Sequence, residues 1–192
     1  MEHVLIGGNE LFMTAGEKKS YTVEDIERLP EGERAELIDG KMYMMASPTL
    51  THQDMLSWFT IKIGMYIMAH GGTCRVLPAP FAVYILDDDR NYVEPDISVI
   101  CDESRLDEKG CHGAPDWIIE IVSPSSKYMD YVKKLNLYET AGVREYWIVD
   151  PVQKSITVYG LEKEEGPVLH SFSAKVKAGI YEDLVLDFGE YR

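Results

Sequence analysis

Two acidic residues sit where a β-strand has little use for them. In EPDISVI (94–100) Asp96 opens an otherwise apolar run, and in DWIIEIV (116–122) Glu120 has Ile and Val on both sides. Segments apolar on both faces belong inside a sheet, where a carboxylate carries a large desolvation cost unless it is paired or holds a cation. The connector 102–115 lets the two strands pair antiparallel, which sets Asp96, at the start of one, beside Glu120, near the end of the other. Two carboxylates meeting at one sheet end offer hard oxygen ligands suited to Mg²⁺ or Mn²⁺. A cation so held polarises a phosphodiester and acidifies an attacking water. The same residues also admit a buried ion pair, Glu120 with Lys134 or Arg144, or a solvent-exposed strand end.

Downstream of the turn 123–126, Asp130, Lys134 and Tyr138 recur every four residues. In an α-helix each such step turns by about 40°, so the three form a stripe on one face. A lysine aimed at a carboxylate–cation centre orients a water or offsets developing charge; an Asp–Lys pair on a wet helix face is the plainer reading. Lys133 points elsewhere. His52, in the first turn of a long helix, either approaches the site or caps the helix. Trp147 suits core packing better than base stacking, and His112 and His170 read as loop or surface residues. The sequence holds no GxGxxG or GxxxxGK phosphate loop, and Ser123 lacks a G-x-S-x-G setting.

The elements that must position these groups read as a mixed set. Thr22 and Asp25 open a short helix that stops before Pro30. Segments 35–39 and 42–45 flank an Asp39-Gly40 hairpin turn. A long helix starts at Ser47 as cap with Pro48 as its first residue and ends at Gly71-Gly72. A strand over 75–86 is broken around Pro78 and Pro80, and 87–91 is a solvated turn. Strands follow over 96–101 and 117–122, then a helix over 127–141 closed by Gly142. Strands 145–149 and 156–159 join through Asp150-Pro151, and 168–188 is further strand and turn. The fold class is α/β (α+β): a mixed β-sheet flanked by helices. A chain of 192 residues suits one domain, 21–192, behind a leader at 1–20.

Charge bounds the partners. The chain carries 33 acidic against 19 basic residues, a net charge of −14, so attraction to nucleic acid is weak or local. Cys74, Cys101 and Cys111 form no CxxC pair or zinc-spaced cluster and read as thiols in a reducing cytoplasm. No signal peptide is evident at the N-terminus, and the apolar stretch 55–69 is too short to span a bilayer and contains Lys62. A soluble, cytoplasmic protein without a membrane role is the expectation.

Taken in order, Glu36 in ELIDG, His52 after the SPT turn, EPD (94–96), IIEIVSPSS (118–126), D-x-x-x-K-x-x-x-Y (130–138) and GVREYWIVDP (142–151) carry a resemblance. The chain resembles, over roughly residues 20–190, a bacterial domain-of-unknown-function family of restriction endonuclease-like proteins within the PD-(D/E)xK nuclease superfamily. The resemblance implies a restriction endonuclease-like core. It implies Asp96 and Glu120 as metal ligands, and Glu36 as the further upstream acid many such nucleases use; by its place in a charged hairpin, Glu36 reads equally as an exposed strand residue. The superfamily lysine two positions after the Glu is replaced by Val122, so Lys134 on the following helix takes that role, with Lys127 as runner-up. The implied activity is Mg²⁺- or Mn²⁺-dependent hydrolysis of DNA leaving 5′-phosphate ends, and a homodimer would concentrate its few basic patches. Two other readings stand beside it: a nuclease-fold module that binds a protein or nucleic-acid partner without catalysis, and a hydrolase of small phosphorylated molecules.

Overall fold

The computed structural model describes residues 20–123, 126–163 and 166–191. The proposed leader apart from Ser20, Pro124-Ser125 of the turn before the Lys134 helix, Glu164-Glu165 and Arg192 therefore lie outside the described residues. Helix α1 (Val23–Glu27) is opened by Thr22, whose backbone N–H donates to Asp25 Oδ2 at 2.9 Å. Strands β1 (Ala35–Ile38) and β2 (Lys41–Met44) pair antiparallel about Asp39-Gly40. Both turn residues have positive φ, 50° and 72°, as a tight hairpin turn requires.

Helix α2 (Leu50–His70) begins later than its sequence suggests. Thr49 is the cap, its hydroxyl accepting the His52 N–H, and Gly71 closes the helix at φ 63°. Ser47 and Pro48 precede the cap; Pro48 disfavours helical backbone only for the residue before it, so Thr49, a good capping residue, sets the start. Next come β3 (Arg75–Pro78), β4 (Val83–Tyr84), β5 (Ile97–Ile100), β6 (Cys111–His112) and β7 (Trp117–Ile121). A π-helical turn (Met129–Lys134) then leads into α3 (Leu135–Ala141), so the expected 127–141 helix is α-helical mainly in its second half. Strands β8 (Glu145–Asp150), β9 (Ser155–Tyr159), β10 (Val168–Ser171), β11 (Lys175–Lys177) and β12 (Val185–Asp187) complete the order.

Six strands form the central sheet in the order β10-β9-β8-β7-β5-β3. Within this sheet, among the described residues, only β7 and β8, joined across α3, run parallel; β5 and β7 are antiparallel, with Ile97 opposite Ile119. Two-residue alternation divides the sheet into two apolar faces. Ile97, Val99, Trp117, Ile119, Trp147 and Val149 pack against Met55, Phe59 and Ile63 of α2 and against Val176, Leu186 and Phe188. Ile100, Ile118, Val122, Tyr146 and Ile148 pack with Leu137 and Tyr138 of α3. The expectation of a mixed sheet between helical layers is met.

The reading of all three cysteines as thiols is corrected. Cys74 and Cys101 form a disulfide across 27 residues. Arg75 lies opposite Ile100 in the β3–β5 ladder, so Cys74 and Cys101 face each other as the next cross-strand pair. Only Cys111 remains a thiol, and burial pushes its pKa up to about 11. Among the described residues no helix is long and apolar enough to cross a membrane.

Candidate active site

Five elements deliver polar groups to one end of the β5–β7 pair. The register that sets Ile97 opposite Ile119 continues to Asp96 beside Glu120. By alternation Glu120 shares the α3-facing side of β7 with Ile118 and Val122. Glu36 comes from β1, all four of whose residues are buried, so it is not the exposed strand residue that its charged neighbours suggested. Asp130 and Lys134 come from the π-helical turn and Tyr138 from α3. The stripe survives the wider turn, because residues four apart still share a side. His52 comes from the first turn of α2.

The Lys134 ammonium is the hub. Its Nζ lies 2.8 Å from Glu36 Oε1, 2.8 Å from Glu120 Oε1 and 3.9 Å from Asp130 Oδ1. Tyr138 donates its hydroxyl to the same Glu120 Oε1 at 2.7 Å, and Glu36 Oε1 also accepts the Glu94 N–H at 3.1 Å. Beside this cluster, Asp96 Oδ2 accepts the Ile121 N–H at 2.7 Å and lies 3.1 Å from His52 Nε2. The buried His52 Nδ1 has no partner among the described residues.

Glu36, Glu120, Asp130 and Lys134 are each at most 5% exposed, so their charges act on one another with little screening by water. Burial pushes Glu120 well above the ordinary carboxylate range; Asp96, Asp130 and Glu36 push the same way, and Lys134 opposes them. Asp130 rises to about 6, again chiefly through burial. Burial works against the Lys134 ammonium, but Glu120, Glu36 and Asp130 outweigh it and hold its pKa well above the usual lysine value. His52 is likewise disfavoured as a cation by burial, yet Asp96 turns the balance and raises its pKa. Acidic groups thus outnumber cations in a buried cluster, which is the condition under which carboxylates retain protons or take a metal ion.

The cluster chemistry suits a hard divalent cation: oxygen donors and surplus negative charge. Among the described residues, however, no three His, Cys, Asp or Glu side chains converge as a ready cation cage. Glu36 and Glu120 close on the ammonium instead, and Asp96 on His52.

Two sequence expectations fail here. Lys127 does not join the cluster; its Nζ pairs with Asp150 Oδ2 at 2.8 Å, because Asp150 ends β8 next to the Ile121 end of β7. Arg144 does not reach Glu120 and bonds Asp116 and Glu162 at 3.2 and 3.0 Å. Sequence reasoning also passed over Glu94, although it opens the EPD triplet. Glu94 is buried, ion-paired with Arg34, and accepts the Tyr92 hydroxyl at 2.8 Å. With its N–H on Glu36, it clamps the β1 hairpin to the strand carrying Asp96. Arg34, two residues before Glu36, was the available signal for that clamp.

Comparison with known proteins places this architecture. An uncharacterized protein of Synechocystis sp. is 26% identical over 130 residues, 66% of each chain, so the match spans just under two thirds of that relative. The crystal structure of a "putative nuclease belonging to DUF820" from Anabaena variabilis shares the fold, with a TM-score of 0.72 at 24% identity, over 88% of this chain and 96% of that one. A family model described as "Putative restriction endonuclease" matches residues 23–184. With most of its length inside that match, the chain belongs to the Uma2 family.

Proposed function

We propose that this protein is a metal-dependent endonuclease that hydrolyses DNA phosphodiester bonds. The observation that carries the reading is the meeting of Glu36, Glu120 and Asp130 about a single lysine at the end of β5 and β7, with Asp96 held by His52 beside them. Membership in a family described as "Putative restriction endonuclease" supports it. Asp96 and Glu120, with Glu36, would hold Mg²⁺ or Mn²⁺. A divalent cation bound there polarises the phosphodiester and lowers the pKa of water at the site. Lys134, aimed at the same carboxylates, positions the attacking water and offsets charge on the phosphorane-like transition state. Tyr138 fixes Glu120, and His52 fixes Asp96. The water oxygen bonds to phosphorus as the water gives up a proton, the P–O3′ bond breaks, O3′ takes up a proton from solvent, and a 5′-phosphate and a 3′-hydroxyl remain.

DNA must be held despite the net charge of −14. Binding is therefore weak and salt-sensitive, and a homodimer that shares one groove is the arrangement that gathers the most basic side chains. A catalytically silent nuclease-fold module is favoured by one observation, the absence of a ready cation cage among the described residues.

Supercoiled plasmid incubated with Mg²⁺ or Mn²⁺ separates the two. Nicking that needs metal and disappears in both Asp96→Ala and Glu120→Ala supports the nuclease. Equal nicking by wild type and both variants rules out this site. A wild type that binds plasmid but never nicks it supports the silent module.

A further inference from the structure

We propose that the Lys134 ammonium is a tethered counter-ion, seated between Glu36 and Glu120 in the metal-free protein and displaced from them when a divalent cation binds. The inference rests on the metal-dependent reading above and adds a mode of control to the same site.

The geometry argues for exchange rather than coexistence. Nζ lies 2.8 Å from both Glu36 Oε1 and Glu120 Oε1, the place from which one cation touches both oxygens. Glu36 and Glu120 would hold a divalent cation through the same carboxylates that the ammonium now occupies, so the two positive charges compete for one place and repel each other. The ammonium also explains why surplus carboxylates form no cage among the described residues: their oxygens already converge on a cation that the chain supplies.

Tyr138 makes the exchange orderly. Its hydroxyl holds Glu120 Oε1 at 2.7 Å from α3, so the carboxylate stays in place when the ammonium leaves. Lys134 is the last residue of the π-helical turn, and its four-carbon stem allows the head to swing without moving α3. Cation entry and the release of Lys134 from the carboxylates thus become one event. Before entry, the same lysine offsets the buried carboxylates and keeps the free protein folded.

The test is Mn²⁺ binding by calorimetry to the full-length wild type, Lys134→Met and Lys134→Gln, with thermal unfolding of each protein with and without Mn²⁺. Exchange predicts that both variants bind Mn²⁺ about tenfold tighter or more, since removing a competing charge at this distance is worth that much at protein-like dielectric. It also predicts that Mn²⁺ raises the variants' Tm further than the wild type's. Equal or weaker binding by the variants overturns the exchange and leaves the metal site standing. No Mn²⁺ binding by any of the three overturns the metal site and the exchange together.

A wild-type measurement covers the case in which neither variant folds. Amine labelling read by mass spectrometry should modify Lys134 several-fold faster with Mn²⁺ present, with Lys133 unchanged as control. Unchanged Lys134 labelling in protein that binds Mn²⁺ overturns the proposal.

Discussion

Two buried glutamates on neighbouring parallel strands have opposite lives. Glu145, at the start of β8, accepts the Trp147 indole N–H on Oε1 at 2.6 Å and the Ile180 N–H on Oε2 at 2.8 Å. Each oxygen is taken by a neutral donor of its own chain. Gly179 lies so close that an added Cβ would stand 3.1 Å from Oε2, so the loop between β11 and β12 is closed down on this carboxylate. Glu120, near the end of β7, receives Lys134 and Tyr138 on a single oxygen, and three more carboxylates act on it. Burial alone does not mark a working acid. The mark is burial among like charges with one cation to share, because only that leaves chemistry for a bound ligand to complete.

The comparison breaks first at Glu120 itself. Under the proposed function, Glu120→Gln lowers metal-dependent plasmid nicking by roughly two to three orders of magnitude, as losing a preorganised electrostatic group does. Glu145→Gln leaves nicking within about twofold. An equal loss in both would erase the distinction, and initial nicking rates at saturating Mn²⁺ read it directly.

Asp130 sharpens the comparison through pH. Its pKa rises from 3.8 to about 6 on folding, so between those values the folded state holds a proton that the unfolded chain releases. The Asp130 contribution is then fully present below the unfolded value and is lost as pH rises from about 4 through 6, up to about 3 kcal/mol. Urea unfolding across pH 4–7 should show that decline, flattened in Asp130→Asn. At Glu145 the expected change is a plain loss of stability. Glu145→Gln exchanges a charged acceptor for an amide that must turn one donor toward the Trp147 or Ile180 N–H, costing about 1–3 kcal/mol, measurable by the same unfolding at pH 7.

What could be read in advance follows from the range of each signal. Asp96 and Glu120 stand out because each interrupts an apolar strand, and two-residue alternation with one antiparallel pairing is enough to bring them side by side. Asp130, Lys134 and Tyr138 stand out because spacing of four is a helical signal even where the turn widens. Contacts set by distant register were not legible. Lys127 stands as runner-up to Lys134 because it closely follows the 123–126 turn, yet Asp150 captures it because β8 runs parallel to β7, which no local pattern reveals. The Cys74–Cys101 bridge depends on β3 lying beside β5, and the Arg34–Glu94 clamp on where the first hairpin docks. Each joins residues at least 23 positions apart through the sheet order, so spacing along the chain carries no trace of it.

The smallest effect falls on Tyr138, where structure and chemistry separate most finely. Its hydroxyl is fully buried, and burial followed by Glu120 pushes its pKa well above the usual phenol value, so it donates to Glu120 at any ordinary pH. Tyr138→Phe keeps the ring packed on Tyr146, a centroid distance of 4.9 Å, and removes only that donor. The stability cost should be about 1 kcal/mol, the net worth of one hydrogen bond to a charged acceptor less the relief of burying no hydroxyl. If Tyr138 merely fills space, Mn²⁺ affinity will follow wild type. If it holds Glu120 for a cation, affinity falls by roughly threefold to tenfold, while Tyr146→Phe, whose hydroxyl donates to the Asp130 carbonyl at 3.1 Å, loses similar stability and keeps wild-type affinity. Calorimetry on this pair of variants decides whether the hydrogen bond to Glu120 belongs with the dry packing around Glu145 or with the charged centre it touches.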